Sequence, residues 1–261
     1  MEDRYLREQT FHDRVYDEGV NDNFVSKHIN SRPFYSILGS AHEQFYSLLY
    51  PYCPGRRLLE NVCGRGEPDY LRDLAERGAQ ISAIDISEVA VEQVKRAARR
   101  DNLDIDARVM NAEDLDFEDG EFDVVAGSAI IHHLNLKKAF TEITRVLNPS
   151  GVAIFEEPLG HNPFINLYRR LTPHLRTEDE HPLRTEDFEL ARSFFGNVQV
   201  YYFGLLPLLV VPFRSSRFFP TAVKLLDVAD RFLFRLLPFT RKYAWSSVLF
   251  MSQPKKSRSM G

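Results

Sequence analysis

Imidazoles and carboxylates able to move a proton are concentrated at a few points of this chain. His132 and His133 are adjacent, Glu156 and Glu157 close a later apolar run, and His161, His174 and His181 lie in the polar stretch beyond. An imidazole, with its ordinary pKa of roughly 6.5, is the natural base at neutral pH. A neighbouring carboxylate can orient the ring or a substrate. Adjacent residues at a helix start point in different directions, so one of His132 and His133 is expected to face a site while the other packs or caps. His132, His133 and His161 are the candidate bases, and Glu157, His174, His181 and Tyr35 the candidates for substrate contact. Glu156, His161, Glu178 and His181 are metal-ligand types, but their spacing matches no compact ligand motif, and no metal is expected.

A second stretch, RLLENVCGRG at 57–66, bears on ligand binding instead. Its apolar pair, Leu58 and Leu59, leads into Glu60 and a turn containing Gly64 and Gly66. Glycine lets a ligand approach the main chain, and a helix opening behind the turn offers unpaired N–H groups. Asp69 stands where the third glycine of a dinucleotide fingerprint belongs, which argues against a nicotinamide or flavin cofactor.

The elements that must position these groups follow from hydrophobic periodicity. Apolar runs at 57–62, 80–84, 106–110, 122–127 and 151–155 read as strands, with helices at 69–77, 87–100 and 136–147 between them. The last helix carries a clean stripe at Leu136, Ala139, Phe140, Ile143, Val146 and Leu147. Short apolar strands alternating with helices specify parallel pairing, right-handed crossovers and an α/β, doubly wound sheet. Ligands of such sheets sit beyond the carboxyl ends of the strands. Those ends carry Glu60, then Asp85, then Asn111-Ala112-Glu113, then Gly127-Ser128-Ala129, then Glu156-Glu157. A carboxylate at Asp85 can accept hydrogen bonds from both hydroxyls of a ribose. Taken singly, Asp85 also suits a helix N-terminus and Asn111 a turn.

Across residues 57–157 this order resembles the class I S-adenosylmethionine-dependent methyltransferases. Glu60, Cys63, Gly64 and Gly66 fit that family's acidic-x-Gly-x-Gly-x-Gly motif, with Val62 in place of the first glycine. Asn148-Pro149-Ser150-Gly151 matches its turn before the fifth strand. The resemblance implies a Rossmann-like, seven-stranded sheet that binds S-adenosyl-L-methionine. Glu60, Val62, Cys63, Gly64, Gly66, Asp85, Ile86, Asn111, Ala112, Glu113 and Ser128 would contact the cofactor, Asn111 at the adenine amino group. It also implies a helical lid at 1–50 over a cofactor-binding core at 51–157; the polar, aromatic stretch after the fifth strand reads as a substrate cap, which with an apolar helical insertion occupies 158–243, before a last strand and basic tail at 244–261. Strands at 198–203 and 244–251 would form the closing antiparallel pair. Within the lid, Phe45, Tyr46 and Leu49 are expected to pack, while His12, Tyr16 and Tyr35 face the ligand.

Composition narrows the acceptor. The net charge of −4 conceals ten Lys/Arg against two acids in residues 205–261, on a strongly acidic remainder. Those cations accompany apolar area rather than a basic groove with stacking aromatics, so no nucleic-acid partner is expected. The helix at 218–239 shows a narrow polar stripe at Lys224, Asp227, Arg231 and Arg235 on an otherwise apolar surface. Such a surface can bury in the body, pair with a second copy as a homodimer, or lie on an anionic membrane through residues 205–242. Two cysteines, a charged N-terminus and no apolar run of membrane-spanning length place the chain in the cytoplasm, with membrane association left open. The expected activity is methyl transfer to oxygen of a small or lipid-like hydrophobic acceptor, with a His base. The alternatives are a methyltransferase-like protein that binds the cofactor without methylating (a cyclisation catalyst or partner subunit) and a membrane-surface interaction protein.

Overall fold

Leu58 and Leu59 are both fully buried, yet they point to opposite faces of a sheet and join two different apolar cores. The same division recurs at Val124 and Val125 and at Ile154 and Phe155, so the central strands are covered on both sides. In the computed structural model, which describes residues 2–16, 35–61, 68–173, 177 and 180–256, the strands are β1 (Arg57–Glu60), β2 (Gln80–Asp85), β3 (Ile105–Val109), β4 (Phe122–Ser128), β5 (Leu147–Pro158), β6 (Phe195–Phe203) and β7 (Ser246–Pro254). They form one sheet in the order β3-β2-β1-β4-β5-β7-β6. The first five pair in parallel, and β7 runs antiparallel between β5 and β6. This is the seven-stranded arrangement the sequence led us to expect.

The helices are α1 (Glu2–Tyr16), α2 (Gly39–Leu49), α3 (Pro68–Glu76), α4 (Glu88–Asp101), α5 (Leu136–Val146), α6 (Pro163–Leu171), α7 (Thr185–Phe194) and α8 (Phe219–Leu236). Side-chain caps fix where several of them start. Ser87 Oγ accepts the Ala90 N–H of α4, and Asn135 Oδ1 the Lys138 N–H of α5. Asn162 Oδ1 takes two N–H groups of α6, whose first position is Pro163; such a cap is worth about 1 kcal/mol. In α2, Ala41, Phe45 and Leu49 recur at intervals of four residues and are buried in the core shared with Leu58 and Ile154.

Two local features differ from the sequence reading. Strand β5 begins at Leu147, because that residue pairs with Phe122 before a register shift. The Asn148–Gly151 segment is therefore an irregular part of the strand, in which Asn148 Oδ1 accepts the Ser150 N–H. Gly127 is required by packing within the protein: a Cβ there would lie 2.9 Å from Ile130 Cγ2 and 3.1 Å from the Phe155 ring.

Residues between β6 and β7 form an insertion made of a 3₁₀ segment (Leu206–Phe213), α8 and a second 3₁₀ turn (Pro238–Tyr243). The polar stripe read at Lys224, Asp227, Arg231 and Arg235 is split, its cations exposed and Asp227 buried. Phe219, Val223, Asp227, Asp230 and Phe234 face inward, while Leu225, Val228, Phe232 and Leu236 are exposed. The acids turn inward because the body supplies their partners: Ser40 Oγ donates to Asp227, and the N–H groups of Leu205 and Leu206 donate to Asp230. No helix among the described residues is long and apolar enough to cross a membrane.

Candidate active site

Strand order reverses direction between β1 and β4, and the crevice outside their carboxyl ends is where a doubly wound sheet takes its ligand. Glu60 ends β1, buried, and accepts a hydrogen bond of 2.9 Å from Tyr70 Oη. The following Asn61 is 2% exposed, and neither atom of its amide has a hydrogen-bond partner among the described residues. Asp85 ends β2, buried, with Oδ1 accepting the Ser87 N–H at 2.8 Å. Beyond β3, Asn111 Oδ1 accepts the Glu113 N–H at 2.9 Å and Ala112 is buried, so the Asn111 carbonyl oxygen shapes the turn. Glu113 accepts the Asn135 N–H and pairs with Arg4. Ser128 closes β4 opposite Glu156 of β5.

Helix α1 lies along this row of strand ends. Gln9 Nε2 donates to the Ile86 carbonyl at 3.0 Å, Ser87 Oγ donates to Asp13, and Gln93 Nε2 donates to the Tyr16 carbonyl at 2.7 Å. Burial, together with the carboxylates of Glu88, Asp13 and Asp85, raises the pKa of the Tyr5 phenol.

After β4 the chain makes a short 3₁₀ turn, Ile131–His133, that presents both imidazoles. His132 is 4% exposed, with Nδ1 2.6 Å from Glu157 Oε2. The other oxygen of Glu157 accepts the N–H groups of Ile130 and Ile131, each at 2.9 Å, so the carboxyl is held at the end of β5. Burial is the dominant influence on both members. It lowers the imidazole to about 3 and raises the carboxyl to about 7, leaving His132 neutral with Nδ1 turned to Glu157. The His133 ring lies 4.2 Å from that of His132 and is likewise kept neutral, chiefly by burial. The backbone N–H of His181 donates to the His132 carbonyl at 2.9 Å, bringing the cap segment onto the pair.

Other expected site residues lie elsewhere. His161 Nε2 is 3.0 Å from Thr185 Oγ1 and accepts the Thr185 N–H, which makes it a cap on the first turn of α7. Tyr35 packs against the Trp245 ring. Val62, Cys63, Gly64, Gly66 and His174 lie outside the described residues. Three groups escaped the sequence reading of the site: Asn61, Glu8, and His42, whose Nδ1 lies 2.6 Å from Glu156 Oε2. For Glu8 a signal existed, since Glu8 and His12 are spaced i, i+4 on a helix. For His42 there was none, because its partner is 114 residues away.

The seven-stranded sheet order, with helices on both faces, is that of the class I methyltransferase fold. Residues 61–155 match the family described as a methyltransferase domain. Over 119 residues the chain is 34% identical to a probable S-adenosylmethionine-dependent methyltransferase of Mycolicibacterium smegmatis, covering 45% of this chain and 44% of that protein. It is 28% identical over 143 residues to sterol 24-C-methyltransferase ERG6A of Gibberella zeae, covering 53% of this chain and 37% of that protein. The chain thus spans under half the length of these curated relatives. Among solved structures, geranyl diphosphate C-methyltransferase from Streptomyces coelicolor A3(2), in complex with S-adenosyl-L-homocysteine, superposes with a TM-score of 0.57 at 18% identity, over 83% of this chain and 76% of that one. Residues 61–155 thus match a methyltransferase-domain family, and the surrounding chain has the fold of the class I S-adenosylmethionine-dependent methyltransferases.

Proposed function

We propose that this protein methylates a hydroxyl of a small or lipid-like hydrophobic acceptor, with S-adenosyl-L-methionine as donor. The observation that carries this reading is the buried His132–Glu157 pair beside a crevice edged by Glu60, Asp85 and Asn111. The donor set fits the cofactor. Asp85 can receive ribose hydroxyls, the Asn111 amide nitrogen can face an adenine edge, and the buried Asn61 amide supplies polar atoms beside the glycine turn. When bound, the sulfonium supplies an activated methyl group.

The chain's own residues align the acceptor and take its proton. A neutral His132 can accept that proton at Nε2. Its Nδ1 stays fixed on Glu157, whose ionisation becomes easier as positive charge develops on the ring. Helix α1, bonded to Ile86, Ser87 and Gln93, serves as a lid that keeps water from the reacting atoms. His174 and His181 remain our assignments for the acceptor side, with His181 anchored through its backbone to His132, whereas Glu157 is committed to His132 and Tyr35 to the Trp245 ring.

The outer face of the insertion supports a lipid-like acceptor drawn from an anionic membrane surface. Leu209, Phe213, Phe218, Leu225, Phe232, Leu236 and Phe239 are each at least 63% exposed. Arg214, Arg217, Arg231, Arg235, Arg241 and Lys242 are exposed on the same insertion. Large contiguous apolar exposure marks an interaction surface, and cations on the same insertion match anionic headgroups.

Calorimetry with S-adenosyl-L-methionine, followed by a labelled-methyl assay over a panel of hydrophobic alcohols, tests the reading. Binding that Asp85→Ala removes, with transfer that His132→Ala abolishes while binding persists, is the expected result. No detectable binding would refute the donor assignment. Binding without transfer to any alcohol would refute the oxygen acceptor.

A further inference from the structure

We infer that Glu8, His12 and His133 form a site for one divalent transition-metal ion of the zinc type. Glu8 and His12 project from successive turns of α1, and His133 comes from the 3₁₀ turn after β4, so the three meet only in the folded chain. Glu8 Oε2 lies 3.5 Å from His12 Nε2 and 3.4 Å from His133 Nδ1, and the three donor atoms lie within 4.8 Å of one another. Charge-assisted N–H···O bonds close to about 2.7–2.9 Å, so these contacts are too long for such bonds. They match the edge of a tetrahedron whose metal–ligand bonds are about 2.0–2.1 Å, which is roughly 3.3–3.4 Å.

A second observation points the same way. Glu8 is 6% exposed, and both its carboxylate oxygens are buried without a hydrogen-bond partner among the described residues. The donors turned toward this acceptor-only group are the two imidazoles, beyond ordinary hydrogen-bond length, and the Thr177 hydroxyl, a thin complement for a buried carboxylate. A cation lying between it and two imidazoles supplies the missing partner. Two nitrogens and one carboxylate oxygen suit zinc, cobalt or nickel; magnesium and calcium prefer oxygen alone.

His132, His133 and Glu180 also bring donor atoms within 4.8 Å of one another. There, however, His132 has one nitrogen engaged by Glu157 and the other 3.9 Å from Glu180, so we assign the ion to the α1 set. Held in this way, the ion would fasten α1 to the segment following β4, across the mouth of the crevice. The role is distinct from proton transfer by His132.

Titrating the untagged, chelator-treated full chain with Co²⁺, read by visible d–d absorption and by elemental analysis, tests the site without recourse to activity. We expect about one equivalent bound, spectra of low coordination number, displacement by Zn²⁺, and at least a roughly tenfold weaker affinity in His12→Ala and Glu8→Gln. Circular dichroism checks that the variants fold. His12→Ala, which leaves the buried carboxylate in place, carries the test if Glu8→Gln does not. Negligible uptake by the wild-type chain would overturn the proposal. Loss of binding in Glu180→Gln but not in His12→Ala would overturn the assigned ligand set.

Discussion

Replacing Asn61 by Leu should stabilise the ligand-free protein and weaken its response to cofactor. Asn61 donates its backbone N–H to the Ala126 carbonyl at 2.8 Å, which locks it into the end of the sheet at 2% exposure. Its side-chain oxygen and nitrogen are both buried without partners among the described residues. Mutational data put the cost of burying such an amide unpaired at about 1–3 kcal/mol. Leucine removes that cost and adds apolar burial. Its branched end opposes the gain through overpacking of about 1 kcal/mol or more. The net expectation is a gain of about 1–2 kcal/mol, or a rise in Tm of roughly 2–8 °C for a chain of this size.

Differential scanning fluorimetry with and without saturating S-adenosyl-L-homocysteine reads both halves of this expectation. The variant should melt higher alone and gain less from ligand, because the amide that the ligand would satisfy is gone. A fall in the ligand-free Tm would show that the amide is already bonded in solution. An unchanged ligand-induced shift would show that Asn61 takes no part in binding.

Asp230 offers a pH test. Burial raises its folded pKa from 3.8 to about 6 against the opposing N–H groups of Leu206 and Leu205. The folded state therefore binds the proton more tightly than the unfolded one, and this group's contribution to stability falls as pH rises from about 4 to about 6, by about 3 kcal/mol in all, then stays level. Denaturant titrations of wild type and Asp230→Asn should diverge by that amount, the variant gaining relative to wild type above pH 6, and parallel curves would refute the raised carboxyl. In vesicle flotation the chain should rise with anionic but not neutral liposomes, and a Leu225→Ser, Phe232→Ser double variant should lose that preference. Equal behaviour on both vesicles, or a stable dimer burying this face, would count against membrane contact.

Periodicity located the strands of the sheet to within a few residues, because the central ones are buried on both faces and read as short apolar runs between turns. The strand order and the place of β7 are not periodic properties. They came with the family resemblance, through the motif around Glu60, Asp85 and the Asn148–Gly151 turn. The insertion shows where pattern reading fails. An acid on an amphipathic helix is ordinarily placed in water, yet Asp227 and Asp230 point inward, since Ser40 and the main chain at 205–206 supply their partners. Those partners lie in other elements, and no single-helix periodicity contains them.

The same distinction separates the legible part of the site from the rest. Residues at strand ends, such as Asp85 and Glu157, could be picked out because topology alone places them at the crevice. Histidines could not be ranked in that way. His132 and His161 have equal claims in the sequence, yet one is enclosed against Glu157 and the other caps α7 through Thr185. What decides between them is the number of elements converging on each ring. At His132 the ends of β4 and β5 and the cap segment at His181 meet, and they exclude water from the imidazole. At His161 a single helix start meets the ring through one hydroxyl and one N–H and leaves it partly exposed. Burial by several elements keeps the imidazole uncharged and fixes its orientation on Glu157, as a proton acceptor requires, while making the ring a weaker base than a free imidazole. The base is therefore better sought where strands β4 and β5 end together than where the polar residues are densest.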